Sequence, residues 1–194
     1  MDGACSSRAR MLSFGTALLI STVTAFEPAR GVTITPSTTW YQFSWFGEFV
    51  EGCRPADPNG GICVPSSNGD SIAVGVPPWE FTAPTGVRLD VTDMANYGAD
   101  WYVLDGGVAI GRTSQPAPVN SGSCGYSANY CFADPNVSHA SFILLPGFHS
   151  ITLDPITFTS GAAMFRVVPI PEPSTGLLVM VGLFGLGQRS RGRA

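Results

Sequence analysis

Asp100-Trp-Tyr-Val-Leu-Asp-Gly-Gly-Val-Ala-Ile110 holds two short apolar runs joined through Asp105-Gly106-Gly107. Aspartate and glycine tolerate the positive φ that a tight hairpin turn needs, so the stretch predicts two antiparallel strands. The same grammar recurs on both sides of it. In residues 87–92, Val87, Leu89 and Val91 share one face while Arg88, Asp90 and Thr92 share the other. Residues 141–145 and 148–153 are apolar runs separated by the turn pair Pro146-Gly147. Residues 157–168 supply a last strand, with Phe165 and Val167 opposite Arg166. Earlier strand candidates are residues 32–34, 40–46, 71–74 and 79–82. No stretch between them sustains the 3.6-residue apolar period of a helix. Short alternating runs punctuated by turn residues read as an all-β protein, a single antiparallel β-sandwich of jelly-roll-like build.

Two segments break the rhythm, residues 52–70 and 112–135, both rich in proline, glycine, serine and asparagine. Each holds one pair of cysteines, Cys53 with Cys63 and Cys124 with Cys131. In an oxidising compartment an even set of cysteines suggests disulfides. Three pairings are open, and the two local ones are favoured because each closes a short, turn-rich loop. A zinc site is the rival reading, but the spacings are too wide for C-x₂-C ligand pairs.

The two ends are of a different kind. Arg8 and Arg10 precede an apolar run over residues 11–23, followed by Thr24 and Ala25. A basic region, an apolar core and a small residue at the cut make a secretory signal peptide over residues 1–25, which carries Cys5 away with it. The partners this implies are signal peptidase and the general secretion machinery. Residues 26–168 form the β-sandwich body, and residues 169–194 are a separate tail. There Pro169, Pro171 and Pro173 fix φ and hold the chain as an extended, polyproline-like rod. From Leu177 to Leu186 the tail is apolar apart from glycines, and Arg189, Arg191 and Arg193 follow. As a helix, residues 174–187 would span only about 21 Å at ~1.5 Å per residue. A bilayer core is about 30 Å thick, so this membrane insertion is expected to be transient. The terminal arginines favour the cytoplasmic side. They also argue against a lipid-anchor transfer signal, which ends in apolar residues.

Pro171-Glu172-Pro173-Ser174-Thr175, the apolar run and the arginine-rich end together resemble the C-terminal sorting signal of PEP-CTERM proteins. That resemblance implies processing by a bacterial exosortase-type enzyme, with passage through the inner membrane and then location at the cell surface or outside the cell. From Pro78 to Val167 the body resembles a family of uncharacterised exported proteins that often end in the same signal. The matching pieces are Pro78-Trp-Glu-Phe-Thr, Val91-Thr-Asp, the Asp105-Gly-Gly hairpin, Ser138-His-Ala-Ser-Phe, Gly147-Phe-His-Ser-Ile-Thr and Phe165-Arg-Val. The resemblance implies a sandwich module and no established activity.

Composition limits the partners. The whole chain contains no lysine, and residues 26–170 hold twelve acidic residues against five arginines, a net charge of −7. That surface lacks the basic footprint nucleic acid requires. His139 and His149 are the only histidines. Without a G-x-S-x-G elbow they make no hydrolase triad, and cross-strand hydrogen bonding is their expected role. Glu48, Glu51 and Glu80 are too irregularly spaced to pick out a glycosidase pair. Asp90, Asp93, Asp100 and Asp105 fall at neighbouring strand ends, where hard oxygen ligands would suit calcium as a cofactor. Trp40, Trp45, Trp79 and Trp101, with Tyr41 and Tyr102, could stack on sugar rings or pack the core. The expectation is an exported, non-enzymatic protein, structural or adhesive within exopolysaccharide or biofilm. The alternatives are a secreted carbohydrate- or calcium-binding module and, behind it, a secreted hydrolase.

Overall fold

The computed structural model of the protein describes residues 31–119, 121–156 and 160–171. The expected signal peptide, and the expected tail beyond residue 171, lie outside the described residues. In chain order the elements are β1 (Val32–Thr33), β2 (Trp40–Phe46), β3 (Phe49–Glu51), β4 (Ser71–Ala73), β5 (Trp79–Ala83), β6 (Val87–Asp93) and β7 (Ala95–Asn96). They continue with β8 (Trp101–Asp105), β9 (Val108–Arg112), β10 (Ser123–Gly125), the helix α1 (Ala128–Ala133), β11 (His139–Leu144), β12 (Gly147–Pro155) and β13 (Ser160–Pro169).

Two sheets face one another, one in the order β1-β5-β12-β8-β9 and the other β11-β6-β13-β2-β3 with β4 also on β2. The long strands pair antiparallel throughout, and the chain passes between sheets at β5→β6, β11→β12 and β12→β13. This is the jelly-roll arrangement the turn pattern predicts. Two short edge pairings depart from it: β1 runs parallel to β5, and β4 runs parallel to β2. The β8–β9 hairpin turns at Gly106 (φ +57°) and Gly107 (φ +80°), the two positive-φ positions that its two-residue turn demands.

The core lies between the sheets and is dominated by aromatic rings. Trp79 and Trp101 from one sheet meet Phe43, Trp45 and Phe165 from the other, with ring centroids 4.4–6.1 Å apart. Leu89, Val91, Val103, Ile151 and Val167 fill the remaining space, all fully buried. These are the inward positions that two-residue alternation assigns.

The outer face of the β11-β6-β13-β2 sheet is covered as well. A second cluster, of Trp40, Met94, Cys124, Ala128, Cys131, Val137 and Met164, packs α1 and its loop onto that face. Both local disulfides form, Cys53–Cys63 with Cα atoms 5.6 Å apart and Cys124–Cys131 at 5.1 Å. The first closes a loop laid over the end of β2, where Ser44 Oγ donates to the Gly52 carbonyl at 3.0 Å and Gln42 Nε2 donates to the Val64 carbonyl. Gly60 has to be glycine here, since a Cβ would come within 2.1 Å of the Gly52 carbonyl oxygen. The second loop places α1, capped by Ser127, whose side chain accepts from the Tyr130 N–H.

Candidate functional site

At the end of the sandwich where β13 begins, two adjoining open clefts share the walls Trp45, Met94, Ala95 and residues 160–162. The larger, about 380 Å³, runs out between the β2–β3 hairpin and the first disulfide loop. Its rim carries the exposed side chains of Phe46, Ile62, Val64 and Tyr126, beside the Glu51 carboxylate. Phe49, 70% exposed, pairs with Phe46 across the hairpin. Gly161 shapes the floor: a Cβ there would sit 2.6 Å from the Trp45 ring.

The wall formed by residues 94–99 is held by a buried carboxylate. Asp93 Oδ1 accepts from the Met94 N–H at 2.8 Å, and Oδ2 accepts from the Ala99 N–H at 3.2 Å. Burial raises the Asp93 pKa to about 8, outweighing those two donors, and the nearby Asp100 charge pushes it the same way.

The four aspartates expected to gather for calcium are dispersed. Asp90 lies on β6 in one sheet, while Asp100 and Asp105 sit at opposite ends of β8 in the other. Each already has protein partners. Fully buried Asp90 accepts from Arg88 Nε and Arg166 Nε, both at 2.8 Å, and from Ser141 Oγ at 2.6 Å. Arg112 donates to Asp100, and Asp105 faces His149 Nδ1 at 2.7 Å. Among the described residues no group of three or more His, Cys, Asp or Glu side chains is placed to hold a metal ion. The spacing argument failed because strand ends adjacent in sequence belong to different sheets.

The aromatic platform also resolves differently. Trp40, Trp45, Trp79, Trp101 and Tyr41 are all buried, and of that set Tyr102 alone is exposed. The exposed rings are instead phenylalanines and tyrosines on short loops and edge strands. The sequence carried a signal for them in Phe46-Gly-Glu-Phe49, two aromatics flanking a glycine turn.

His149 bonds across strands as expected, with Nε2 facing the Leu145 carbonyl at 2.9 Å and the ring lying against Phe81. Both nitrogens face acceptors, so a neutral ring can donate to one of them and an imidazolium to both. His139 instead bonds locally, Nδ1 to the Val137 carbonyl at 2.8 Å. Of the glutamates, Glu51 lines the cleft and Glu80 lies on β5 in the opposite sheet.

The sorting signal begins at the other end of the molecule. β13 spans ten residues, about 33 Å at ~3.3 Å per residue, from the cleft floor at Ser160 to Pro169. Pro169 lies opposite Val87, and the Ile170 N–H donates to the Gly86 carbonyl at 2.9 Å, the last anchor before Pro171.

Residues 169–192 match the PEP-CTERM protein-sorting motif. The motif marks an exported, membrane-passing protein processed by an exosortase-type enzyme. No curated protein and no solved structure matches the chain. The body's resemblance to an uncharacterised exported family therefore stands on its own short motifs. Among the described residues no helix is long and apolar enough to cross a membrane.

Proposed function

We propose that this protein is a non-catalytic structural or adhesive component of extracellular polysaccharide or biofilm, presented at the cell surface through its sorting signal. The observation that carries the reading is the placement of the aromatic-rimmed cleft about a full strand length from Pro169, where the signal starts. A tether at one end and an open, partly apolar cleft at the other suit a module that grips an extended polymer. Exposed rings such as Phe46, Phe49 and Tyr126 offer apolar faces to sugar C–H groups, and Glu51 offers a hydroxyl acceptor beside them. The acidic, lysine-free surface keeps such a module soluble among hydrated polysaccharide.

The purified protein on a glycan array, with and without chelator, tests this. Retention of one or more polysaccharides that Phe49→Ala and Tyr126→Ala together abolish supports it. Binding lost only with chelator would favour the calcium-dependent module instead, and no glycan bound at all would defeat the adhesive reading.

A further inference from the structure

The end of the sandwich from which the sorting signal leaves has a surface of its own. Leu144 of β11 and Pro169 of β13 both lie opposite Val87, and Gly147 of β12 lies opposite Ala83. The turns at residues 84–86 and 145–146 and the start of the tail therefore crowd one rim. Leu144's carbonyl oxygen and the Ile170 side chain both come within 4 Å of where a Gly86 Cβ would stand.

Every segment of that rim is uncharged: Ala83-Pro-Thr-Gly86, Phe142-Ile-Leu-Leu-Pro-Gly-Phe148 and Val167-Val-Pro-Ile-Pro171. Three of its large apolar side chains point away from the core, Ile143 at 66% exposed, Leu145 at 75% and Phe148 at 65%. His149 fixes the turn that bears them, bonding the Leu145 carbonyl on one side and Asp105 on the other. Rigid, contiguous apolar exposure of this kind marks a contact surface.

We infer that this rim rests on the lipid bilayer while the precursor's own tail is inserted. The inference depends on the sorting reading above, and three observations make lipid the occupant. The apolar run of the tail begins at Leu177, six residues after Pro171, so the rim is held within about 20 Å of the membrane surface. At such a separation even weak apolar contact is intramolecular in effect and is favoured by a high effective concentration. The rest of the body, at net −7, is repelled by anionic headgroups, which leaves the uncharged rim as the face able to approach them. Burying an apolar turn at the headgroup boundary is the binding mode of interfacial segments. It would also hold the extended segment from residue 171 at constant height above the bilayer, where a membrane-embedded processing enzyme can reach it.

A single new tryptophan reports on this, because all four native ones are buried. The full-length chain carrying Phe148→Trp is reconstituted in phosphatidylglycerol vesicles containing phosphatidylcholine brominated on its acyl chains. Tyr130→Trp, 62% exposed at the original residue and on the helix α1, serves as the distant reporter. Leu145→Trp is a second rim reporter should the first variant fold poorly. Loss of most of the added fluorescence at position 148 or 145, with none at 130, is the expected result. Protein that co-sediments with vesicles while its rim reporter stays unquenched overturns the inference and leaves the sorting reading intact. Protein that does not co-sediment overturns both. A blue-shifted but unquenched rim reporter would mean that a second copy, or the tail itself, covers the rim, and it also overturns the inference.

Discussion

Replacing Asp93 by asparagine separates two forces that meet at one carboxyl group. The unfolded chain releases this proton near 3.8 and the folded chain near 8, so between those values the native state holds one proton more. Stability that the protonated carboxyl confers is complete below the unfolded value and is lost as pH rises towards the folded one. The slope is about 1.4 kcal/mol per pH unit, or about 3 kcal/mol between pH 5 and pH 7. The substituted amide cannot ionise, so the profile of Asp93→Asn lacks this slope. Its amide nitrogen also cannot accept a hydrogen bond, which leaves either the Met94 or the Ala99 N–H unpaired at a cost of about 1–3 kcal/mol. The wild type should therefore be the more stable protein at pH 5, and the two should converge or cross by pH 7. Urea unfolding at intervals of half a pH unit measures both profiles, and the difference between them removes the contribution of the histidines. Parallel profiles from pH 5 to 7 would refute the reasoning, since they would mean that the two backbone donors hold Asp93 ionised in the fold. Because Asp93 secures residues 94–99, amide exchange in that cleft wall should quicken as pH rises in the wild type and change less in Asp93→Asn after correction for the intrinsic rate.

Three further outcomes follow from the packing and the tail. Arg166→Ala should destabilise by about 3 kcal/mol, because it strips one of two guanidinium partners from fully buried Asp90 and uncovers the Trp40 ring, 4.3 Å from the guanidinium carbon; a change below about 1 kcal/mol in chemical denaturation would show that Arg88 alone suffices. Cys124→Ser with Cys131→Ser should cost about 2.5 kcal/mol on loop-closure grounds and loosen α1 from Trp40, read as early amide exchange in residues 128–133. Replacing Pro171, Glu172 and Pro173 by alanine should leave unprocessed precursor in the inner membrane, visible by fractionation and immunoblot, and normal release of that triple variant would defeat the assigned role of the motif.

Much of this protein is legible from local chemistry. Alternation in residues 87–91, the glycine pair of the β8–β9 turn and the proline-glycine turn before β12 are decided within a few residues, so the strands and the all-β class follow from the sequence. The local cysteine pairing is favoured for the same reason, and the sorting motif is read from contiguous residues by definition. What lies beyond reach is the second layer of cover. Asp90 and Thr92 occupy the positions that alternation assigns to solvent, yet both are fully buried, because α1 and the disulfide loops return over that face from distant parts of the chain. The short strands β3, β7 and β10 are likewise fixed by their pairing partners, and their own two or three residues carry no periodicity to read. The dispersal of the four aspartates is hidden as well, since a jelly roll sends consecutive strands to opposite sheets. Sequence periodicity reports which way a side chain points relative to its neighbours. Only the tertiary structure decides what, if anything, lies above it.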